Sequence, residues 1–394
     1  MIGLDLSNST LEEIKEENLS ELLNKIHAKK QGFYYTIDDD QIIGKINRFA
    51  EKNSDFEHIV VCGIGGSALG AICLQQSLGH LYLNKLHVLD NIDPIMIKEL
   101  EEVIDYSKTL FIVITKSGGT VETLSQYDYF SKKIKENGYE LSDHMTIITG
   151  PQPNPLRDEA EKEDLEVFDI PEDVGGRFSV LTVVGLLPAK LIGIDIEKIL
   201  KGAKVGRDNF LSPDSKNNLP YQLAKTQFDL SQKGKTINVL MPYSQKLIKF
   251  ADWFRQLLAE STGKDGKGIT PTNALGVTDQ HSQLQLYNDG PNDKLFIFIE
   301  VKNMNPEIAI DSPYKTTFGE LMQIEKNATA AALTKNGRPN ITISVDSVSE
   351  ETLGQLFLLF EGATAFLGEL MGINAFDQPG VELSKKLTKK ALLK

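Results

Sequence analysis

Glu260 follows Gln256 by four positions in the stretch 250–263, and on a helix that spacing puts an amide and a carboxylate on one face. A carboxylate so placed can take a proton while the amide positions what it acts on. Arg177 stands in DVGGRFSV, where two glycines bring it out of a turn. An arginine does not lose its proton in a protein, so beside a reacting carbon it can stabilise an oxyanion without joining the proton traffic. Each residue also has an ordinary reading, as a solvated helix glutamate or a surface arginine after a β-turn. His281 in TDQHSQLQ and Lys385 in FDQPGVELSKK are a lone histidine and a near-terminal lysine, and gain force only from company.

Two glycine-rich segments supply a place for an anion. In VVCGIGGSALG, Gly63, Gly65, Gly66 and Ser67 join an apolar run to a helical one, so backbone N–H groups can face an anion at a helix N-terminus. Gly63, Gly65 and Ala68 also fit a dinucleotide-binding variant, with Asp90 where a ribose-binding acid would stand, and a tight turn without a ligand is a third reading. The second segment, IVITKSGGTVET, adds the hydroxyls of Thr115, Ser117, Thr120 and Thr123. Several hydroxyls converging on a helix start suit a compact phosphate monoester, whereas helix capping needs only one. Together the two loops favour a sugar phosphate over a dinucleotide. There is no HExxH, no CxxC, no close His/carboxylate set and no GxSxG, which points away from a metal site and from acyl transfer.

The elements that must hold these residues alternate. Apolar positions at helical spacing over residues 9–31 (Leu11, Ile14, Leu19, Leu22, Leu23, Ile26) predict an opening helix, and a second runs to about residue 53. Short β-rich runs at 58–62, 86–89, 110–114, 146–149 and 166–170 are spaced for crossovers in a parallel sheet. Residues 179–232 read as helical with one polar break. Strands at 236–241, 295–300 and 341–345 then alternate with helices at 244–262, 316–335 and 350–371. The loop 261–268, rich in glycine and lysine, reads as exposed and mobile. The pattern is two α/β units, each with its own core, facing one another across a cleft.

Composition bounds the function classes. With 42 lysines and arginines against 55 acidic residues, a net charge of −13 repels polyanions, so nucleic acid is not expected as a ligand. Cys62 and Cys73 form no framework and read as core thiols of a reducing compartment. The acidic, amphipathic start has no secretory pattern, and no run of 18 apolar residues suggests a membrane span; a cytoplasmic location is expected.

Taken in order, GIGGSALG, TKSGGTVETLS, GGRFSVLT, QLLAES, TDQHSQLQ and FDQPGVELSKK resemble the phosphoglucose isomerases over residues 57–386. GGRFS and FDQPGVExxK are highly specific, while GIGGS alone also suits the wider group of sugar-isomerase (SIS) domains. The resemblance implies an α/β fold of two flavodoxin-like SIS domains, each a parallel sheet flanked by helices, with extra helices at the N-terminus. The expected division is 1–55, 56–185, 186–232 and 233–394. It also implies interconversion of glucose 6-phosphate and fructose 6-phosphate through a cis-enediol, without metal or redox cofactor. Gly66 and Ser67 would lie at the substrate, Thr115, Lys116, Ser117 and Thr120 around its phosphate, and Gln256 and Gln378 at sugar hydroxyls. Glu260 would move the proton between C2 and C1 beside Arg177, and His281 and Lys385 would open the ring. A homodimer is implied, His281 coming from the neighbouring subunit. The chain departs from the pattern at Gly118 and Gly119, where many members carry threonine, so one phosphate hydroxyl is either missing or replaced by a backbone N–H.

Overall fold

Runs of Ile, Val and Thr too short for helices form the strands. The computed structural model, which describes residues 2–11, 18–311 and 313–392, gathers them into two five-stranded sheets and a two-stranded hairpin. In chain order they are β1 (Gly3–Asp5), β2 (His58–Cys62), β3 (Leu86–Leu89), β4 (Thr109–Thr115), β5 (Met145–Thr149), β6 (Glu166–Asp169), β7 (Ile237–Pro242), β8 (Thr270–Asn273), β9 (Lys294–Val301), β10 (Ala309–Ile310), β11 (Thr316–Thr317) and β12 (Asn340–Val345).

The first sheet has the order β3-β2-β4-β5-β6 and is parallel throughout. The second has the order β1-β12-β9-β7-β8, with β1 antiparallel to β12 and the rest parallel. The two share one winding: β2 and β7 each have their successor on the outer side and the next strand on the inner side. Chain direction across the sheet therefore switches between β2 and β4, and between β7 and β9. In sheets of this kind ligands bind beyond the carboxyl ends of the strands at that switch.

Alternate residues of each strand face opposite sides. Ile59, Val61, Ile112 and Ile114 of the first sheet share one core with Leu240, Ile297, Ile299 and Ile341 of the second. Val60, Cys62, Phe111 and Val113 face a smaller cluster outside the first sheet, and Val239, Met241, Phe296 and Phe298 one outside the second. The expectation of two separate cores is thus corrected to one shared core with two satellites. The helices Val183–Leu191, Ile196–Leu211, Leu219–Gln232, Ile248–Thr262 and Glu350–Met371 contribute to that shared core, and the last is buried over almost its whole length. Glu350–Met371 is long and apolar enough to cross a bilayer by composition, but 83% of its apolar window is covered by the protein itself.

Three local expectations change. The opening helix spans Leu19–Ala28, capped by Asn18, and Ser9 to Leu11 are not helical; Ile14 lies outside the described residues. The N-terminal segment is not purely helical, because β1 closes the edge of the second sheet. That edge strand also makes the second sheet mixed rather than parallel.

Candidate active site

Both glycine loops lie at the carboxyl ends of the switch strands of the first sheet. The loop after β2 turns through Gly65–Ser67 into the helix Leu69–Leu78. A Cβ on Gly66 would stand 2.3 Å from the carbonyl of Gly176, so only glycine lets this loop touch the turn that carries Arg177. Gln256 reaches the same loop from the second unit: its Nε2 lies 3.0 Å from where a Cβ of Gly65 would be.

The loop after β4 brings together three of the four predicted hydroxyls. Thr115 Oγ1 and Thr120 Oγ1 are 2.8 Å apart, and Ser117 Oγ stands 3.4 Å from each. Thr123 is not part of the cluster; it is fully buried and its hydroxyl has no partner among the described residues. The capping alternative does not hold for Thr120, which occupies the N-cap of Val121–Glu136 without a side-chain cap bond. Other helices here are capped from the side chain, by Asp39, Asp93, Asn154, Asp195 and Asn218 among others. The helix starts at both glycine loops are not, which leaves N–H groups available to an anion. Gly118 has φ +62°, and a Cβ there would run into the Asn154 side chain, so that position needs glycine; a Cβ on Gly119 would meet only the Ser117 carbonyl, at 3.9 Å.

Lys116 stands differently from its expected place around the phosphate. Its ammonium donates to the carbonyls of Glu172 and Val174 at 2.7 and 2.8 Å, and burial lowers its pKa, with Asp173 and Glu172 opposing. Its side chain therefore ties the hydroxyl loop to the arginine turn.

Arg177 is 3% exposed and all five of its N–H groups have acceptors. Nε donates to Ser261 Oγ at 2.7 Å. Nη1 donates to Glu260 Oε2 at 3.3 Å and to Gln378 Oε1 at 3.0 Å. Nη2 donates to the carbonyls of Ala375 and Asp377 at 2.5 and 3.0 Å. Desolvation lowers the guanidinium pKa, and Glu260 and Asp377 act against that, so the cation is kept. Glu260, at the C-terminal end of Ile248–Thr262, is one-third exposed, and its other oxygen accepts from Gln256 Nε2 at 3.0 Å. Gln256 Oε1 is buried without a partner among the described residues, an acceptor left open beside the carboxylate. The arrangement is an oriented carboxylate with a fixed cation on one side and an unspent amide oxygen on the other.

His281 and Lys385 are not brought to this centre within one chain. His281 is exposed just after the turn Thr278–Gln280, which Gln280 fixes to the helix Phe318–Lys335 through the Glu325 carbonyl and Thr329. Lys385 lies on the exposed helix Glu382–Leu392 and pairs with Glu382 at 2.9 Å. Among the described residues neither side chain bonds to Arg177, Glu260 or Gln378.

The centre also contains residues the sequence reading did not assign. Ser261 was legible only as a hydroxyl on an otherwise apolar helix face. Phe33, Phe178 and Phe376 pack together, with ring centroids 5.2 to 6.3 Å apart, and fix the arginine turn against residues 374–378. The loop 261–268 is exposed only in part: Gly263 and 265–267 are exposed as expected, while the Lys264 side chain is 8% exposed and bonded.

The comparisons with known proteins agree with this geometry. The family model described as phosphoglucose isomerase matches residues 13–292 and 315–394. The glucose-6-phosphate isomerase of Carboxydothermus hydrogenoformans is 40% identical, the alignment covering 97% of this chain and 90% of that protein. A crystal structure described as a hypothetical protein from Thermus thermophilus superposes with a TM-score of 0.93 at 35% identity, over the whole of both chains. A glucose-6-phosphate isomerase structure from Chlamydia trachomatis gives a TM-score of 0.81 at 25% identity, covering 90% of this chain and 73% of that one. With a matched family model spanning most of its length and a relative 40% identical over nearly all of it, the chain belongs to the phosphoglucose isomerase family.

Proposed function

We propose that this enzyme interconverts glucose 6-phosphate and fructose 6-phosphate with Glu260 as the base. The observation that carries the reading is the clamp on that carboxylate: Arg177 Nη1 on one oxygen at 3.3 Å and Gln256 Nε2 on the other at 3.0 Å. Glu260 takes the proton from C2 of the open-chain aldose, a cis-enediol forms, and the same carboxyl returns the proton to C1. Arg177 lies where the enediol oxygens gain charge, and being fixed by five bonds it needs no reorganisation when that charge appears. The open acceptor of Gln256 and the amide of Gln378 suit sugar hydroxyls. The phosphate is held by the hydroxyls of Thr115, Ser117 and Thr120 with backbone N–H groups, including that of Lys116, and Gly66 and Ser67 line the sugar side.

His281 and Lys385 open the ring, one protonating the ring oxygen and the other handling the C1 hydroxyl. The exposure of His281 supports its delivery to the centre of a second copy of the chain, and the enzyme is read as a homodimer in the cytoplasm. The division 1–55, 56–185, 186–232 and 233–394 is part of this reading, supported by the repeated winding of the two sheets.

A coupled assay for glucose 6-phosphate formed from fructose 6-phosphate, with the purified protein, tests it. Turnover is expected. A folded protein that binds the sugar phosphate without converting it would make this a sensor rather than an isomerase.

A further inference from the structure

Arg177 is positioned by two segments far apart in the chain, the end of the helix Ile248–Thr262 and the irregular stretch 374–378. The helix presents the Ser261 hydroxyl and Glu260; the stretch presents Gln378 and the carbonyls of Ala375 and Asp377. What joins the two segments to each other is Lys264. Its Nζ donates to the Ser261 carbonyl at 3.3 Å and to the Asn374 carbonyl, and pairs with Asp377 Oδ1 at 3.0 Å. The other Asp377 oxygen accepts from Asn374 Nδ2 at 2.9 Å. Ser261 and Asp377 thus each hold both cations: the Ser261 hydroxyl and the Asp377 carbonyl take Arg177, while the Ser261 carbonyl and the Asp377 carboxylate take Lys264. The result is a closed ring of four residues, Arg177, Ser261, Lys264 and Asp377.

We infer that Lys264, acting with Asp377, is a positioning residue that sets the Arg177 fork and Gln378 against Glu260. Lys264 makes its contacts with backbone and with Asp377, so it acts through Arg177. If Lys264 is shortened or neutralised, the helix end and the stretch 374–378 lose the ion pair that joins them, and three of the five acceptors of Arg177, Gln378 and the carbonyls of Ala375 and Asp377, become free to drift. A displacement of about 1 Å in such a constellation can cost on the order of 100-fold in rate.

The inference rests on Glu260 being the base, and the test separates the two. In Lys264→Met, kcat is expected to fall roughly 10- to 100-fold while KM for fructose 6-phosphate and the inhibition constant for inorganic phosphate stay within about twofold. Lys264→Arg should recover most of the rate, and Asp377→Asn should lower kcat in the same way with KM kept. Wild-type kcat in Lys264→Met, with Glu260→Gln inactive, would overturn the positioning role alone. A rate loss in Lys264→Met accompanied by equal loss of phosphate binding and not restored by arginine would overturn it too, since that is the mark of general disruption. Should Glu260→Gln keep its turnover while Lys264→Met loses it, the base assignment fails and with it the pathway inferred for Lys264.

Discussion

A guanidinium that is 3% exposed keeps its charge only when every donor it takes from water finds an acceptor, and Arg177 does so with five. A lysine in its place has three donors on a point charge and leaves at least two of those acceptors unanswered. Arg177→Lys is therefore expected to lower kcat roughly 100- to 1000-fold, the usual cost of losing a transition-state donor; unchanged turnover would return Arg177 to a structural task. The hydroxyl triad makes a different prediction, because its proposed partner, the phosphate, is the part of the substrate that does not react. Thr120→Val should raise KM roughly 10- to 100-fold, as expected for a hydrogen bond to a charged group, with kcat nearly kept. A fall in kcat at constant KM would place Thr120 at the reacting carbons instead. At this scale the sequence showed which residues could do chemistry, since Gln256 and Glu260 share a helix face at a spacing that can be counted. It could not show their company: Arg177 meets Glu260 and Gln378 from 83 and 201 positions away, and Lys116 was spent on carbonyls no motif announces.

Among the elements, Glu350–Met371 carries the clearest tension, because Glu361 lies at its middle with no exposed surface and neither carboxyl oxygen partnered among the described residues. Burial raises its pKa well above the ordinary carboxylate value. The folded chain then retains a proton that the unfolded chain releases, so this group's contribution to stability is full below the unfolded pKa and is lost as pH rises toward the folded one, at about 1.4 kcal/mol per unit. Glu361→Gln removes the titration at constant shape, so its Tm should gain on the wild type as pH goes from 5 to 8; an offset independent of pH would contradict this. Apart from the opening helix, which starts ten residues later than its apolar periodicity suggests, helices and strands with strong apolar periodicity were legible to within a few residues. β1 and β8 were not, since Gly3–Asp5 has three residues and Thr270–Asn273 holds a proline and no large apolar side chain; both are edge strands whose pairing is set by the neighbouring sheet.

For the whole molecule, two sheets of like winding share one core, and that rigid contact is what lets a turn from the first unit meet a helix end from the second at hydrogen-bond distance. The alternation of short strands and helices revealed the two units; it could not reveal that the helices between them fuse their cores, because that depends on which faces meet. If His281 acts in the neighbouring subunit, Glu260→Gln and His281→Ala mixed after unfolding and refolding should regain about a quarter of wild-type activity, since half the random dimers carry one intact site of two. No recovery would place His281 in its own chain's centre or outside the reaction. The central claim remains the base, and the most direct measurement is the turnover of Glu260→Gln beside its thermal stability and its inhibition constant for inorganic phosphate. An unchanged fold and phosphate affinity are expected, with kcat lowered about 100- to 10,000-fold. Near-wild-type turnover in that variant would contradict it.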